Sequence, residues 1–350
     1  MIEYLHRIVA IPSTSGHEHA VSEECVKILT ELGFKAHIDA AGNAIGEFGS
    51  GEKTLLFAGH IDTVPGDIPV RIEDGKLYGR GSVDAKGPFM AFCLAVSRAT
   101  TKDLKVIVAG CVEEEAATSK GARYLVGRYR PDHIVIGEPS NTNGITLAYK
   151  GRLLADYTVR IGNFHSARGL GAADAVIEFY NKVSEFARPF IKESLFESLQ
   201  WTAGELSSNA DGMTQEASVK ISFRIPPGFD TGSLKAHLED IKGKGSLEIY
   251  GEELPVKADK NNALVRAFTH SIREHGLQPV FKNKTGTSDM NVLGAAYPDV
   301  PILAFGPGDS SLDHTPDEHI LISDFEKGVA VIKGALGNLY WPSGPNEEKD

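Results

Sequence analysis

Three short apolar runs set the tightest limit on what this chain can fold into. Residues 54–58, 105–109 and 133–136 are rich in valine, isoleucine and leucine and do not alternate with polar residues. That pattern predicts strands covered on both faces of a sheet. Helical stretches lie between them, at about 87–99 and 120–128. Strand, helix, strand, helix, strand is the α/β order. Upstream, Ser15, Gly16, His17 and Glu18 have capping-box spacing. Val21, Cys25, Ile28, Leu29 and Leu32 then share one helical face, with Gly33 as its stop.

The pattern changes near residue 150. Leu153, Ala155, Tyr157, Val159 and Ile161 fall on one strand face, and Arg152, Leu154, Asp156, Thr158 and Arg160 on the other. Such alternation predicts a half-wet strand of an antiparallel sheet. A helix over 172–198, a strand over 219–225, a helix over 234–241 and a strand over 246–250 complete an α+β module. Helical character resumes at 262–275, apolar runs at 279–281 and 301–305, and a last helix spans about 324–340 with Ser323 as its N-cap. The final ten residues are polar, contain two prolines and read as frayed. The organisation read from this is one domain inserted into another: 1–149 with 256–350, interrupted by 150–255.

Length agrees, since 350 residues at about 150 per domain suggests two domains. With 36 basic and 47 acidic residues, a formal charge of −11, the chain does not read as a nucleic-acid binder or as a ligand of anionic membranes. No apolar stretch approaches the ~18–20 residues of a membrane span. The first ten residues lack a signal-peptide core, so the expected setting is cytoplasmic. Cys25, Cys93 and Cys111 form no CxxC pair and sit in apolar surroundings, which predicts buried reduced thiols. Several of the 37 glycines cluster beside polar residues, at Gly79 and Gly81, Gly286, and Gly306 and Gly308, as in tight loops around a site.

Five polar segments stand at or after predicted strands: 59–62 with His60 and Asp62, 79–87 with Asp84, the glutamates Glu113, Glu114 and Glu115, Glu138 before Pro139, and 314–318 beginning with His314. Ligands bind an open α/β sheet outside the carboxyl ends of its strands. Imidazole and carboxylate donors suit zinc, and also cobalt or manganese. Asp62, two residues from His60, can accept the other ring N–H. Adjacent glutamates allow one to bind metal and another to remain a general base. Each segment alone has a plain structural reading, as a turn acid or a solvated glutamate run. Their order is what points to a site.

That order resembles the co-catalytic metallopeptidase superfamily of acetylornithine deacetylase, succinyl-diaminopimelate desuccinylase, aminoacylase and glutamate carboxypeptidase, over nearly the whole chain. The resemblance implies a mixed-sheet zinc-peptidase-like α/β catalytic domain, interrupted by a ferredoxin-like α+β domain serving as lid and dimer contact. It implies two divalent ions, zinc first and cobalt second, bridged by Asp84. His60 and Glu138 would complete one site, and Glu114 and His314 the other. Glu113 would be the general base acting on water, with Asp62 orienting His60. In the insert, the phrase around His165 matches a lid histidine that, in dimeric members, reaches the partner's active site and helps hold the scissile carbonyl oxygen of the substrate. Arg224 matches an arginine that binds the substrate carboxylate. Gly286, Ser288 and Asp289 match a pocket loop. The lysine, proline and glycine around Gly87 depart from the usual Lys-Gly-Gly, but proline is tolerated in a first helical turn.

The phrases at 162–169, 284–291 and 305–310 resemble most closely a lysine-biosynthesis branch. Its enzymes release lysine, and in archaea ornithine, from the terminal glutamate of a small acidic amino-group carrier protein. A partner of that kind needs local basic charge. Lys150, Arg152, Arg160 and Arg168 oppose only Asp156 in residues 150–168, and the first three share strand parity, so this strip is a candidate docking face. An N-acyl-lysine or N-acyl-ornithine deacetylase, a related aminoacylase or dipeptidase, and an inactive binding homologue stay as competing readings.

Overall fold

The computed structural model describes residues 1–100, 104–164 and 169–339. These form two compact units: residues 1–148, 258–283 and 288 onward in one, and 149–257 with 284–287 in the other.

The first unit is built on a mixed sheet. Four strands, Leu104–Cys111, Lys53–His60, His133–Gly137 and Ile302–Ala304, run parallel side by side. Ala44–Phe48 with Lys35–Ile38 extends one side antiparallel, and Gly144–Tyr149 the other. Every residue of helix Lys86–Val96 is buried. The helix packs on the central strands on one side and on Ile322–Asn338 on the other. Its only charged side chain, Lys86, is also buried. Its Nζ donates to the carbonyls of Ile8 and Ile11 at 3.0 and 2.8 Å, satisfying a group that would otherwise be costly to bury. Helix His19–Glu31 buries Val21, Cys25, Ile28 and Leu29, as its spacing predicts. All three cysteines are free and buried. No helix among the described residues is long and apolar enough to cross a membrane.

The second unit is a four-stranded antiparallel sheet ordered Gln200–Ala210, Thr214–Ile225, Gly151–Gly162, Ser246–Glu253. Leu153, Ala155, Tyr157 and Val159 are buried, and their neighbours in sequence are not. They pack with helices Ala172–Ala187 and Thr231–Ile241, and Tyr157 stacks on Phe179 at 3.9 Å between ring centroids.

Several sequence expectations change here. The helix expected to run to 198 stops at Ala187, where Pro189 allows only a short 3₁₀ turn, Arg188–Phe190. Strand Gln200–Ala210 had no apolar face to announce it, because nearly all of it is exposed. Leu321, not Ser323, precedes the last helix, and no side chain caps it. The basic strip loses a member: Lys150 is buried, with Nζ donating to the carbonyls of Leu195 and Ser198 and to Gln200 Oε1. Burial and the nearby Arg224 charge push its amine down to about 8. Arg152 is half-buried with Nε donating to the Gly251 carbonyl, and Arg160 is exposed 3.7 Å from Glu216. Arg168 and the final ten residues lie outside the described residues.

Candidate metal centre

Parallel strands carry their polar ends to one edge. His60 stands opposite Cys111, and Gly59 opposite Gly137, so the segments bearing Asp62, the three glutamates and Glu138 all emerge together. Asp84 lies in the loop between strand Lys76–Tyr78 and helix Lys86–Val96. That loop folds tightly on the first helical turn, since a Cβ at Gly87 would sit 2.4 Å from the Ser82 carbonyl oxygen. His314 arrives in a loop just before strand His319–Leu321. This strand pairs antiparallel with Lys76–Tyr78, His319 opposite Tyr78, and so brings the His314 and Asp84 loops side by side.

Asp84 reaches both histidines. His60 Nε2 lies 3.1 Å from its Oδ1, and His314 Nε2 lies 3.1 Å from its Oδ2. The other ring nitrogen of His60 is 3.0 Å from the Asp62 carbonyl oxygen and 3.5 Å from Asp62 Oδ1. Two groups have donor atoms all within 4.8 Å of one another: His60 with Glu114 and Glu115, and Asp84 with Glu115 and His314. Glu138 is buried but belongs to neither group among the described residues.

The three glutamates of the run are placed differently. Glu113 adopts a left-handed φ of 56°, and its carboxylate accepts from Thr118 Oγ1 at 2.7 Å and pairs with Lys120 at 3.0 Å. It belongs to neither donor group among the described residues. Glu114 and Glu115 face the histidines, Glu114 Oε2 at 3.9 Å from His60 and Glu115 Oε1 at 2.9 Å from His314. Two carboxylates set this register by catching three successive backbone N–H groups: that of Glu113 donates to Glu18 Oε1 at 3.1 Å, and those of Glu114 and Glu115 to Asp62 at 3.1 and 3.0 Å. Ser15, read as a helix cap, instead donates its hydroxyl to Asp62 Oδ2 at 2.7 Å. Helix His19–Glu31 begins without a side-chain cap.

The electrostatics are those of a site that holds positive charge. Burial alone would raise the Asp84 carboxyl, but hydrogen bonds from His314 and His60 outweigh it and hold it well below the usual carboxylate range. Asp84 and Glu115 raise the His314 imidazole to about 10. Burial disfavours charge on His60, yet Glu114, Asp62 and Asp84 together raise it. Burial pushes the Glu114 carboxyl up, helped by Glu138, Glu115 and Asp289 against the pull of His60.

The sequence profile of "Peptidase family M20/M25/M40" matches residues 56–338. The chain belongs to this family. A "[LysW]-lysine hydrolase" from Deinococcus radiodurans is 45% identical over 349 residues, covering 96% of each chain. A "[LysW]-lysine/[LysW]-ornithine hydrolase" from Saccharolobus islandicus is 31% identical, covering 97% of this chain and 96% of that one. Among solved structures, the M20 family metallo-carboxypeptidase Sso-CP2 from Sulfolobus solfataricus superposes with a TM-score of 0.83 at 19% identity, over 97% of this chain and 98% of that one. Human carnosine dipeptidase 1 superposes with a TM-score of 0.74 at 16% identity, over 97% and 96%. The M20 resemblance drawn from the motifs is met, and the relatives' names match the branch it pointed to.

M20 enzymes are metal-dependent hydrolases, and the donor set here fits that chemistry. Both groups offer imidazole nitrogen and carboxylate oxygen and no thiolate, the set preferred by zinc and neighbouring divalent ions. Packed carboxylates that push one another's pKa upward are stabilised by a cation among them.

The other expected site residues are scattered. Ser288 caps helix Asp289–Ala296, its Oγ accepting from the Met290 N–H at 3.2 Å. Asp289 is buried in the first turn of that helix, and its charge reaches Glu114 and Cys111. Gly286 and Arg224 belong to the second unit, where Arg224 Nη1 donates to Thr287 Oγ1 at 3.0 Å. His165 lies outside the described residues. Sequence reasoning missed Glu115, Ser15 and Glu18 as members of the centre. Glu115 was visible in the glutamate run, but three identical residues carry no internal register.

Proposed function

We propose that this chain releases lysine, and ornithine as a second product, from a glutamate-linked conjugate on a small acidic carrier protein, by metal-dependent amide hydrolysis. The observation that carries the hydrolytic reading is the Asp84 carboxylate, with one oxygen 3.1 Å from His60 and the other 3.1 Å from His314. Asp84 would be shared by two divalent ions, zinc first and cobalt second. His60 and Glu138 would complete one site, and Glu115 and His314 the other. Such ions supply a polarised carbonyl and an acidified water.

The remaining work falls to side chains. Glu114 takes a proton from the attacking water and returns it to the leaving amine. A carboxyl pushed upward by burial suits that exchange. Asp62 keeps His60 oriented and holds the backbone of Glu114 and Glu115, so one buried acid positions both a ligand and the base. Arg224 binds the carboxylate of the released amino acid through its planar fork. His165 steadies the scissile carbonyl oxygen, and the insert carries a homodimer contact. The substrate assignment is supported by the relatives' names and by their coverage of nearly the whole chain. A cytoplasmic setting suits three free, buried thiols.

The test is a side-by-side assay. Chelated enzyme reloaded with zinc or cobalt is given the carrier conjugate, acetyl-lysine, acetyl-ornithine and simple dipeptides. Activity should vanish on chelation, return with metal and be highest in kcat/KM on the carrier conjugate. A higher kcat/KM on a small acyl-amino acid or a dipeptide would replace the carrier reading with a deacetylase or peptidase.

A further inference from the structure

Glu318 is fully buried, four residues beyond His314, and belongs to neither donor group. Its Oε1 accepts from two consecutive backbone N–H groups, those of Val83 at 3.0 Å and Asp84 at 3.1 Å. Its Oε2 accepts from Arg80 Nη1 at 2.9 Å. The same Nη1 donates to the Thr315 carbonyl at 3.1 Å, and Arg80 Nε to the Gly66 carbonyl at 2.9 Å. The Gly79 N–H donates to the backbone carbonyl of Glu318 at 3.3 Å. One carboxylate and one guanidinium thus tie the loop that ends at Asp84 to the loop that carries His314.

We infer that Glu318 is a positioning residue, which with Arg80 sets the distance and aim between Asp84 and His314. This rests on the reading that those two side chains hold a metal. A buried carboxylate is costly unless its donors are well placed, and Glu318 has a charged donor and two backbone donors. Its reach is directed at the peptide of Asp84 itself. His314 adopts a left-handed φ of 61°, which a non-glycine residue keeps only when its surroundings hold it. Arg80 and Glu318 anchor the residues that follow it. Loosening the clasp leaves every ligand present but lets Asp84 and His314 drift apart.

The chain is stripped with a chelator and titrated with cobalt, following the visible absorption of the bound ion. In Glu318→Gln an amide N–H₂ must face either Arg80 or the two backbone N–H groups, so the clasp is broken at constant size. The metal-free variant should melt within a few degrees of wild type. Cobalt affinity should weaken about 10- to 100-fold, the range for groups that orient ligands. The cobalt spectrum should change, and kcat on the reloaded enzyme should fall with KM little altered. Wild-type affinity and spectrum in Glu318→Gln would overturn the inference. If that variant does not fold, Arg80→Met is measured instead. It should weaken cobalt in the same direction and Arg80→Lys should restore part of the loss, whereas wild-type binding by Arg80→Met would overturn the inference. Failure of the underlying reading looks different: wild type would take up no cobalt, or Asp84→Asn would bind it unchanged.

Discussion

The strands Lys53–His60 and Gly151–Gly162 belong to sheets that treat charge differently. From Leu55 onward the first is buried to its end, and the polar residues that follow it have few structural duties open to them. The second alternates buried and half-buried positions, so its charged residues already have ordinary places to be. The contrast explains why polar residues at the end of the first strand mark a site and those along the second do not. His60 and Asp62 join a cluster, whereas Arg160 meets Glu216 on an exposed face and Lys150, next to the second strand, is consumed by carbonyls in its own unit.

Glu114→Gln should keep its metal and lose kcat by ~10²–10⁴, the usual worth of a general base. Glu113→Gln, whose carboxylate is held by Thr118 and Lys120, should stay within a few-fold of wild type. Steady-state kinetics with metal analysis on both variants decides it, and the opposite ranking would restore Glu113 as the base. Arg224→Ala should lower kcat/KM by roughly 10- to 100-fold, as for a lost charge-assisted hydrogen bond of about 1.5–3 kcal/mol. Arg160→Glu should change it less than about 2-fold on a small substrate. Equal losses would show that Arg160 is as site-specific as Arg224, which lies in the neighbouring strand of the same sheet.

A pH titration follows. The His314 ring stays protonated up to about 10 in the metal-free chain, so an ion must displace that proton at neutral pH. Metal uptake should release protons into a weakly buffered indicator, and as pH is lowered affinity should fall about tenfold per pH unit for each proton displaced. For the metal-free chain the sign is that of a raised base. His314 contributes its full stability below about 6.5, and that contribution is lost as pH rises through about 10. Uptake without proton release would contradict this. The smallest effects concern backbone fit. Gly87→Ala should destabilise by about 1–3 kcal/mol, because its Cβ meets the Ser82 carbonyl. Gly337→Ala, with open space around it in the last helix, should stabilise by about 0.5–1 kcal/mol, read as a slightly higher Tm.

Much of the first unit was legible because buried parallel strands leave an unmistakable apolar run, and their ends are where ligands gather. The antiparallel strand Gly151–Gly162 was legible through its alternation. What escaped notice lacked either pattern. Gln200–Ala210 is polar and exposed along nearly its whole length. The helix from Ala172 ends at Ala187 because only a short 3₁₀ turn fits across Arg188 and Pro189, and no apolar period marks that stop. Within the centre, residue types were readable but their register was not. Glu113, Glu114 and Glu115 are identical letters, and only the left-handed turn at Glu113 and the carboxylates of Glu18 and Asp62 decide which of them face the histidines. Ser15 and Glu18 looked like a capping box because Ser-x-x-Glu serves that purpose elsewhere, but here both are drawn to the site.

Metal content per chain, measured after chelation and reloading of wild type and of Asp84→Asn, tests whether two ions share Asp84 between His60 and His314. Two ions per chain are expected in wild type and loss of both from the variant, with its fold intact by circular dichroism. Two ions retained by Asp84→Asn would contradict the sharing.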